Sequence, residues 1–150
     1  MITYLKGDAT RPIGEGKKII CHICNNYNKW GAGFVMALSR RWSKIKPAYH
    51  QYNETSGLIL GHVQFVKVED DIVIANMIGQ HNIYPINNIP PIRYDAVANC
   101  LEKVAVKAKE LKASVHAPRF GCGLAGGEWS KIEPIIKDKL DGIQVYVYDL

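Results

Sequence analysis

A chain of 150 residues with 47% apolar and 22% charged side chains fits one soluble globular domain with a single core. Its formal net charge of +5 permits attraction to polyanions, but no nucleic-acid module signature accompanies it, so nucleic-acid binding is not the expected main role. No apolar run is long enough to cross a bilayer, which excludes a helical membrane anchor within these residues.

In chain order, residues 2–5 read as a strand without the basic flank or cleavage site of a secretory leader, so the cytoplasm is the expected compartment. Further strands are predicted at 18–24, 63–68, 72–77, 114–117 and 143–148. Apolar residues at helical spacing predict helices over 33–43, 94–112 and 129–140, with Pro134 in the first turn of the last or distorting it. Lysines and arginines, densest at 40–46 and 103–112, are expected on solvated outer helix faces. The segment 78–92, with Pro85, Pro90 and Pro91, is the only long loop, and a loop of that length is expected to line or cover a site.

Strands alternating with helices predict an α/β sandwich, a mixed sheet covered on both faces. Ligands in such sheets bind beyond the C-terminal ends of the strands. Three segments leave strands in this way and should converge on one cleft: Gly7-Asp8-Ala9-Thr10, the block from Asn25 to Gly33, and Pro118 to Gly127.

The last of these carries four glycines between a strand and a helix. Such a turn bares backbone N–H groups and is suited to wrapping phosphates. Its spacing is neither Gly-x-Gly-x-x-Gly nor Gly-x-x-x-x-Gly-Lys-Ser/Thr, so neither common nucleotide loop applies. Gly31, Ala32 and Gly33 form a second small-residue turn opening a helix, and two such turns favour a ligand with two phosphates. The amide of Asn25 can donate and accept, which suits vicinal ribose hydroxyls. Asp8 suits an exocyclic amine, and equally an N-cap or Asx-turn with Thr10.

Cysteine and histidine offer less. Cys21 and Cys24, three apart on a strand, point to opposite faces and cannot clamp one ion, and no second pair completes a zinc set, so no metal is expected. Four cysteines in apolar or glycine-rich contexts suit reduced thiols, and Cys122 has no histidine placed to make it a nucleophile. The possible proton-transfer groups are His22, His50, His62, His81 and His116, of which His81, opening the proline-rich loop, is either a solvated loop residue or a proton-transfer group. His22 and His116 lie within strands and read as structural.

Together, Gly7-Asp8-Ala9-Thr10, the Asn25–Gly33 block and Pro118-Arg119-Phe120-Gly121-Cys122-Gly123-Leu124 resemble a macro domain over nearly the whole chain, including Val145 to Leu150. The likeness is greatest to the branch holding ADP-ribose-1''-phosphate processing proteins, terminal ADP-ribose glycohydrolase and macro domains that remove ADP-ribose from DNA. It implies a three-layer α/β/α sandwich with a mixed six-stranded sheet, spanning residues 1–150 as a single domain. It also implies ADP-ribose or a derivative as ligand, with ADP-ribosylated protein or nucleic acid as partners and no cofactor. Asp8, with Ala9 beside it, would recognise the adenine amine. Asn25, with Trp30 and Gly31 to Gly33, would hold the distal ribose. Gly121, Cys122, Gly123, Leu124, Ala125 and Gly126 would contact the diphosphate and distal ribose, and Tyr148 and Leu150 would flank the adenine.

Lysine-dependent members of that branch use a lysine after the fourth strand and an acid after the Gly-Cys-Gly-Leu turn. Here Gly79-Gln80 and Ala125 stand at those positions, so a Schiff-base route is not expected. The expected chemistry is hydrolysis at the distal ribose, with water positioned by the diphosphate, Asn25 and His81. The alternative is a module that reads ADP-ribose without turnover.

Overall fold

The computed structural model describes residues 1–150. Six strands, β1 (Ile2–Lys6), β2 (Lys18–Asn25), β3 (Val63–Glu69), β4 (Ile72–Gln80), β5 (Ser114–Pro118) and β6 (Val145–Asp149), form one sheet in the order β1-β6-β5-β2-β4-β3. All neighbours pair parallel except β3, which runs antiparallel to β4, so the sheet is mixed. Four helices complete the chain: α1 (Phe34–Arg41), α2 (Ile45–Thr55), α3 (Tyr94–Leu111) and α4 (Trp129–Lys139).

Two cores explain why β2 and β4 read as apolar runs rather than alternating strands. On one face Ile19, Cys21, Ala75 and Met77 pack with Val97, Leu101 and Val104 of α3 and with Ile132 and Ile136 of α4. On the other, Ile20, Cys24, Ile74 and Ile78 pack with Val35 and Leu38 of α1 and with Ile45 and Tyr49 of α2. Cys21 and Cys24 thus enter opposite cores. The architecture is the three-layer α/β/α sandwich expected from the sequence.

Three details differ from the sequence reading. First, α2 is an additional helix. Its Pro47 is the third helical residue, where the missing N–H has no intrahelical acceptor to lose, and Ile45 and Tyr49 bury one edge at i, i+4 spacing. Second, β4 continues through Gly79 to Gln80, so the irregular segment begins at His81. Gly79 keeps its place in the strand because a Cβ there would lie 3.1 Å from Val97 Cγ2. Within that segment Ile86 and Ile89 exchange backbone hydrogen bonds (3.1 and 2.9 Å) around Asn87 and Asn88, both with positive φ, forming a small hairpin. Third, Pro134 sits inside α4 rather than in its first turn, and leaves the Ser130 carbonyl without its helical donor.

Candidate functional site

β5, β2 and β4 are adjacent in the sheet and parallel, so the loops leaving their C-terminal ends meet. They enclose a cavity of about 720 Å³, within the range of small-molecule sites. Its walls come from the β2–α1 loop and the start of α1, from the β5–α4 loop, from Gln80 at the end of β4 with Ile83 and Tyr84 beyond it, and from Lys46 and His50 of α2.

Asn25 organises the first wall. Its Oδ1 accepts from the backbone N–H of Tyr27 (2.9 Å) and Lys29 (3.2 Å) and lies 3.1 Å from Tyr49 Oη, while Nδ2 donates to Lys29 O (2.9 Å). The amide therefore shapes the loop, and one N–H of Nδ2 remains for a ligand. Trp30 is buried against Tyr49 and His22 and donates from Nε1 to Ser39 Oγ. Helix α1 then begins at Gly33, which has φ +84° and supplies no side-chain cap. The N–H groups of Phe34 and Val35 consequently donate to no protein acceptor, and both residues line the cavity.

The second wall is the β5–α4 loop. Gly127 N donates to Gly121 O (2.7 Å) and Gly126 N to Gly123 O (3.0 Å), which closes the loop on itself. Ile92 N donates to Ala125 O (3.0 Å) and anchors it to the segment after β4. The N–H groups of Gly121 through Ala125 have no protein acceptor, and Gly121, Gly123, Leu124 and Ala125 line the cavity. Lys29, Lys46 and Arg119 are the cations at the wall, Arg119 being paired with Asp149 (2.7 Å), and no aspartate or glutamate stands among the lining residues. Two sets of bare amides beside two lysines are an arrangement that suits an anion.

The sequence-predicted residues divide into two groups. Asn25, Trp30, Gly31, Ala32, Gly33, Gly121, Gly123, Leu124 and Ala125 line the cavity; Asp8, Ala9, His81, Cys122, Gly126, Tyr148 and Leu150 do not. Asp8 Oδ1 accepts from Thr10 N (2.9 Å) and Oγ1 (2.8 Å), the Asx-turn arrangement, and Oδ2 has no protein donor. Ala9 is buried beside it. Tyr148 is buried on β6, where its hydroxyl accepts from Ile13 N (3.0 Å) and meets His116 Nδ1 at 2.7 Å. Leu150 is fully exposed. Gly126, with φ +74°, lies against Pro90, where a Cβ would be 2.8 Å from the ring. The Cys122 thiol is pushed up by burial, more than Arg119 lowers it, so it is no ready thiolate.

His81 lies outside the lining: its Nδ1 accepts a hydrogen bond from Asn26 Nδ2 (2.9 Å), and its ring meets Tyr27 edge-on. The wall holds two other imidazoles. His22 is buried beneath Trp30 and Phe34 with Nε2 2.5 Å from Asn76 Oδ1, and burial lowers its pKa to about 4 despite the asparagine contact. Its Nδ1 has no partner. His50 is half-buried on α2, with Nδ1 2.6 Å from Asn28 Oδ1. The sequence names His50 among five possible proton-transfer histidines but does not place it or Lys46 at the cavity, because their helix is not apparent; the i, i+4 pair Ile45 and Tyr49 was the available signal. No group of three or more His, Cys, Asp or Glu gathers where it could hold a metal ion.

No protein-family model matches the chain. A macrodomain protein from Streptomyces coelicolor is 48% identical, with a TM-score of 0.87 over 100% of this chain and 99% of that one. This chain belongs to the macrodomain family. The ADP-ribose 1''-phosphate phosphatase of Candida albicans is 26% identical over 99% of each chain. A Bacteroides thetaiotaomicron protein of unknown function is 54% identical with a TM-score of 0.97 over 100% of this chain and 98% of that one. Chromodomain-helicase-DNA-binding protein 1-like from Mus musculus is 31% identical over 98% of this chain, which spans only 17% of that protein. A Trypanosoma brucei macrodomain in complex with ADP-ribose shares the fold, at 12% identity and a TM-score of 0.63 over 98% of this chain and 63% of that one.

Proposed function

We propose that this macrodomain binds ADP-ribose derivatives and hydrolyses them at the distal ribose C1'', acting on ADP-ribose-1''-phosphate or on ADP-ribosyl esters of protein or nucleic acid. The observation that carries the reading is the pairing of two loops with unused backbone donors, Phe34–Val35 and Gly121–Ala125, across one cavity without a carboxylate. A diphosphate supplies acceptors for both sets, and its charge meets Lys29 and Lys46. The kinship with ADP-ribose 1''-phosphate phosphatases supports the same ligand class.

In this reading the diphosphate and distal ribose fill the cavity, with the remaining N–H of Asn25 on the sugar. The adenine then extends past β5 toward β6 and β1, where Asp8 Oδ2 offers an open acceptor for its amine and Tyr148 and Leu150 lie nearby. Bare amides aimed at a bound anion need no reorganisation as charge moves, so they hold the reacting end in position.

A second reading is a module that binds ADP-ribose without turning it over. It is favoured by the absence of any carboxylic acid at the wall and by the engagement of Asn25 in its own loop. Product analysis separates the two. Incubation with ADP-ribose-1''-phosphate and with a mono-ADP-ribosylated protein should release phosphate and free ADP-ribose. Tight ADP-ribose binding with neither product would establish the module instead.

A further inference from the structure

Hydrolysis at C1'' needs a group to take the proton of the attacking water, and the cavity wall offers few. It has no aspartate or glutamate. Lys29 and Lys46 are cations and donate. His22 is enclosed, 2% exposed, with Nε2 committed to Asn76. His50 differs. The carboxamide oxygen of Asn28, 2.6 Å from His50 Nδ1, can only accept, so Nδ1 carries the proton and Nε2 carries the free lone pair. Asn28 is itself a cavity residue held at φ +60°, one of only five non-glycine residues with positive φ. A base whose far nitrogen is fixed by a second side chain is the arrangement general-base catalysis uses.

Resting on the hydrolase reading above, we propose that His50 is the proton acceptor of this site and Asn28 its positioning residue. The water oxygen bonds to C1'' while the C1''–O bond breaks. The bond's electron pair leaves with the phosphate or carboxylate, and the water's proton passes to His50 Nε2. The products are ADP-ribose, with a hydroxyl at C1'', and the released anion; His50 returns its proton to solvent. Lys46 lies one helical turn before His50 on α2, at i, i+4, and also lines the cavity, so a cation stands beside the departing anion. An anionic leaving group departs without a proton, which matches a wall that has no carboxylic acid to give one.

The charged and titratable groups around His50 are Lys46 and Glu54 on its own helix, Lys29 on the β2–α1 loop, Tyr84 across the cavity and Tyr49, whose ring centroid lies 5.5 Å away. The test uses the whole chain with ADP-ribose-1''-phosphate and an ADP-ribosylated glutamyl peptide, over a range of pH. The native turnover should fall on acidification, because a protonated base has no lone pair to take the water's proton. His50→Gln should bind ADP-ribose within about twofold of native by calorimetry, lose roughly 10²–10⁴-fold in kcat, and lose that acid limb. Asn28→Ala should lower kcat about tenfold with KM little changed and displace the limb, a shift that a merely structural role would not cause. Turnover by His50→Gln within about threefold of native, with the acid limb intact, would overturn the assignment alone. Native protein that binds ADP-ribose and turns over neither substrate would overturn the hydrolase reading and this assignment with it.

Discussion

Tyr49 Oη lies 2.7 Å from the backbone carbonyl of Asn25, to which it donates, and 3.1 Å from the same residue's Oδ1. This fully buried hydroxyl fixes helix α2 to the end of β2 and thereby sets the loop that forms one wall of the cavity. Tyr49→Phe leaves the Asn25 carbonyl without that donor in an apolar setting. It should cost about 1–2 kcal/mol in urea unfolding and weaken ADP-ribose binding several-fold. Unchanged stability and affinity would show that the loop holds its shape without α2.

The β5–α4 loop separates fold from ligand contact at neighbouring glycines. A Cβ on Gly127 would lie 2.5 Å from Gly121 O, the acceptor of Gly127's own N–H, so Gly127→Ala should destabilise by about 1–3 kcal/mol. A Cβ on Gly123 would meet nothing within 4 Å. Gly123→Ala should therefore unfold within about 0.5 kcal/mol of native, yet bind ADP-ribose about tenfold more weakly, because the methyl takes room beside the bare amides. Full affinity in Gly123→Ala would remove this loop from the ligand site.

Stability should depend on pH through the buried imidazoles. His22 titrates near 4 in the folded state because burial disfavours its charge; burial and the Lys18 charge bring His116 to about 4 as well. An unfolded histidine titrates near 6.5, so between about pH 6.5 and 4 the unfolded chain binds protons that the folded chain does not. Stability is then complete above about pH 6.5 and falls as pH drops through that window. For His22 alone the loss should reach about 2 kcal/mol by pH 5. Urea unfolding at pH 7.5 and pH 5 measures it; equal free energies would mean that the rings titrate normally in the folded protein.

How much of this was legible in the residues depends on what holds each element. β2 and β4 were visible because both faces are buried, and α3 because Val97, Leu101, Val104 and Ala108 mark one stripe. The end of β4 was obscured by Gly79, which interrupts the apolar run yet stays in the strand under Val97. Helix α2 was hidden because Pro47 and polar residues conceal a two-residue anchor, and the place of Lys46 and His50 at the cavity was hidden with it. The glycine turns were legible because loops with bare amides advertise themselves by composition. The surroundings of His81 were hidden for a different reason: it follows a strand that ends at the cavity, but its ring bonds Asn26 on the neighbouring loop and is not part of the lining. Side-chain direction of that kind is a tertiary fact, absent from any local pattern.

The measurement closest to the central claim is a calorimetric titration of the folded protein with ADP-ribose, paired with its thermal unfolding midpoint. Two opposed sets of unused amides around an acid-free cavity predict one site per chain and a midpoint that rises with ligand, equivalent to about 2.7 kcal/mol at a hundredfold excess over Kd. No heat of binding, and a midpoint unmoved at millimolar ligand, would contradict it.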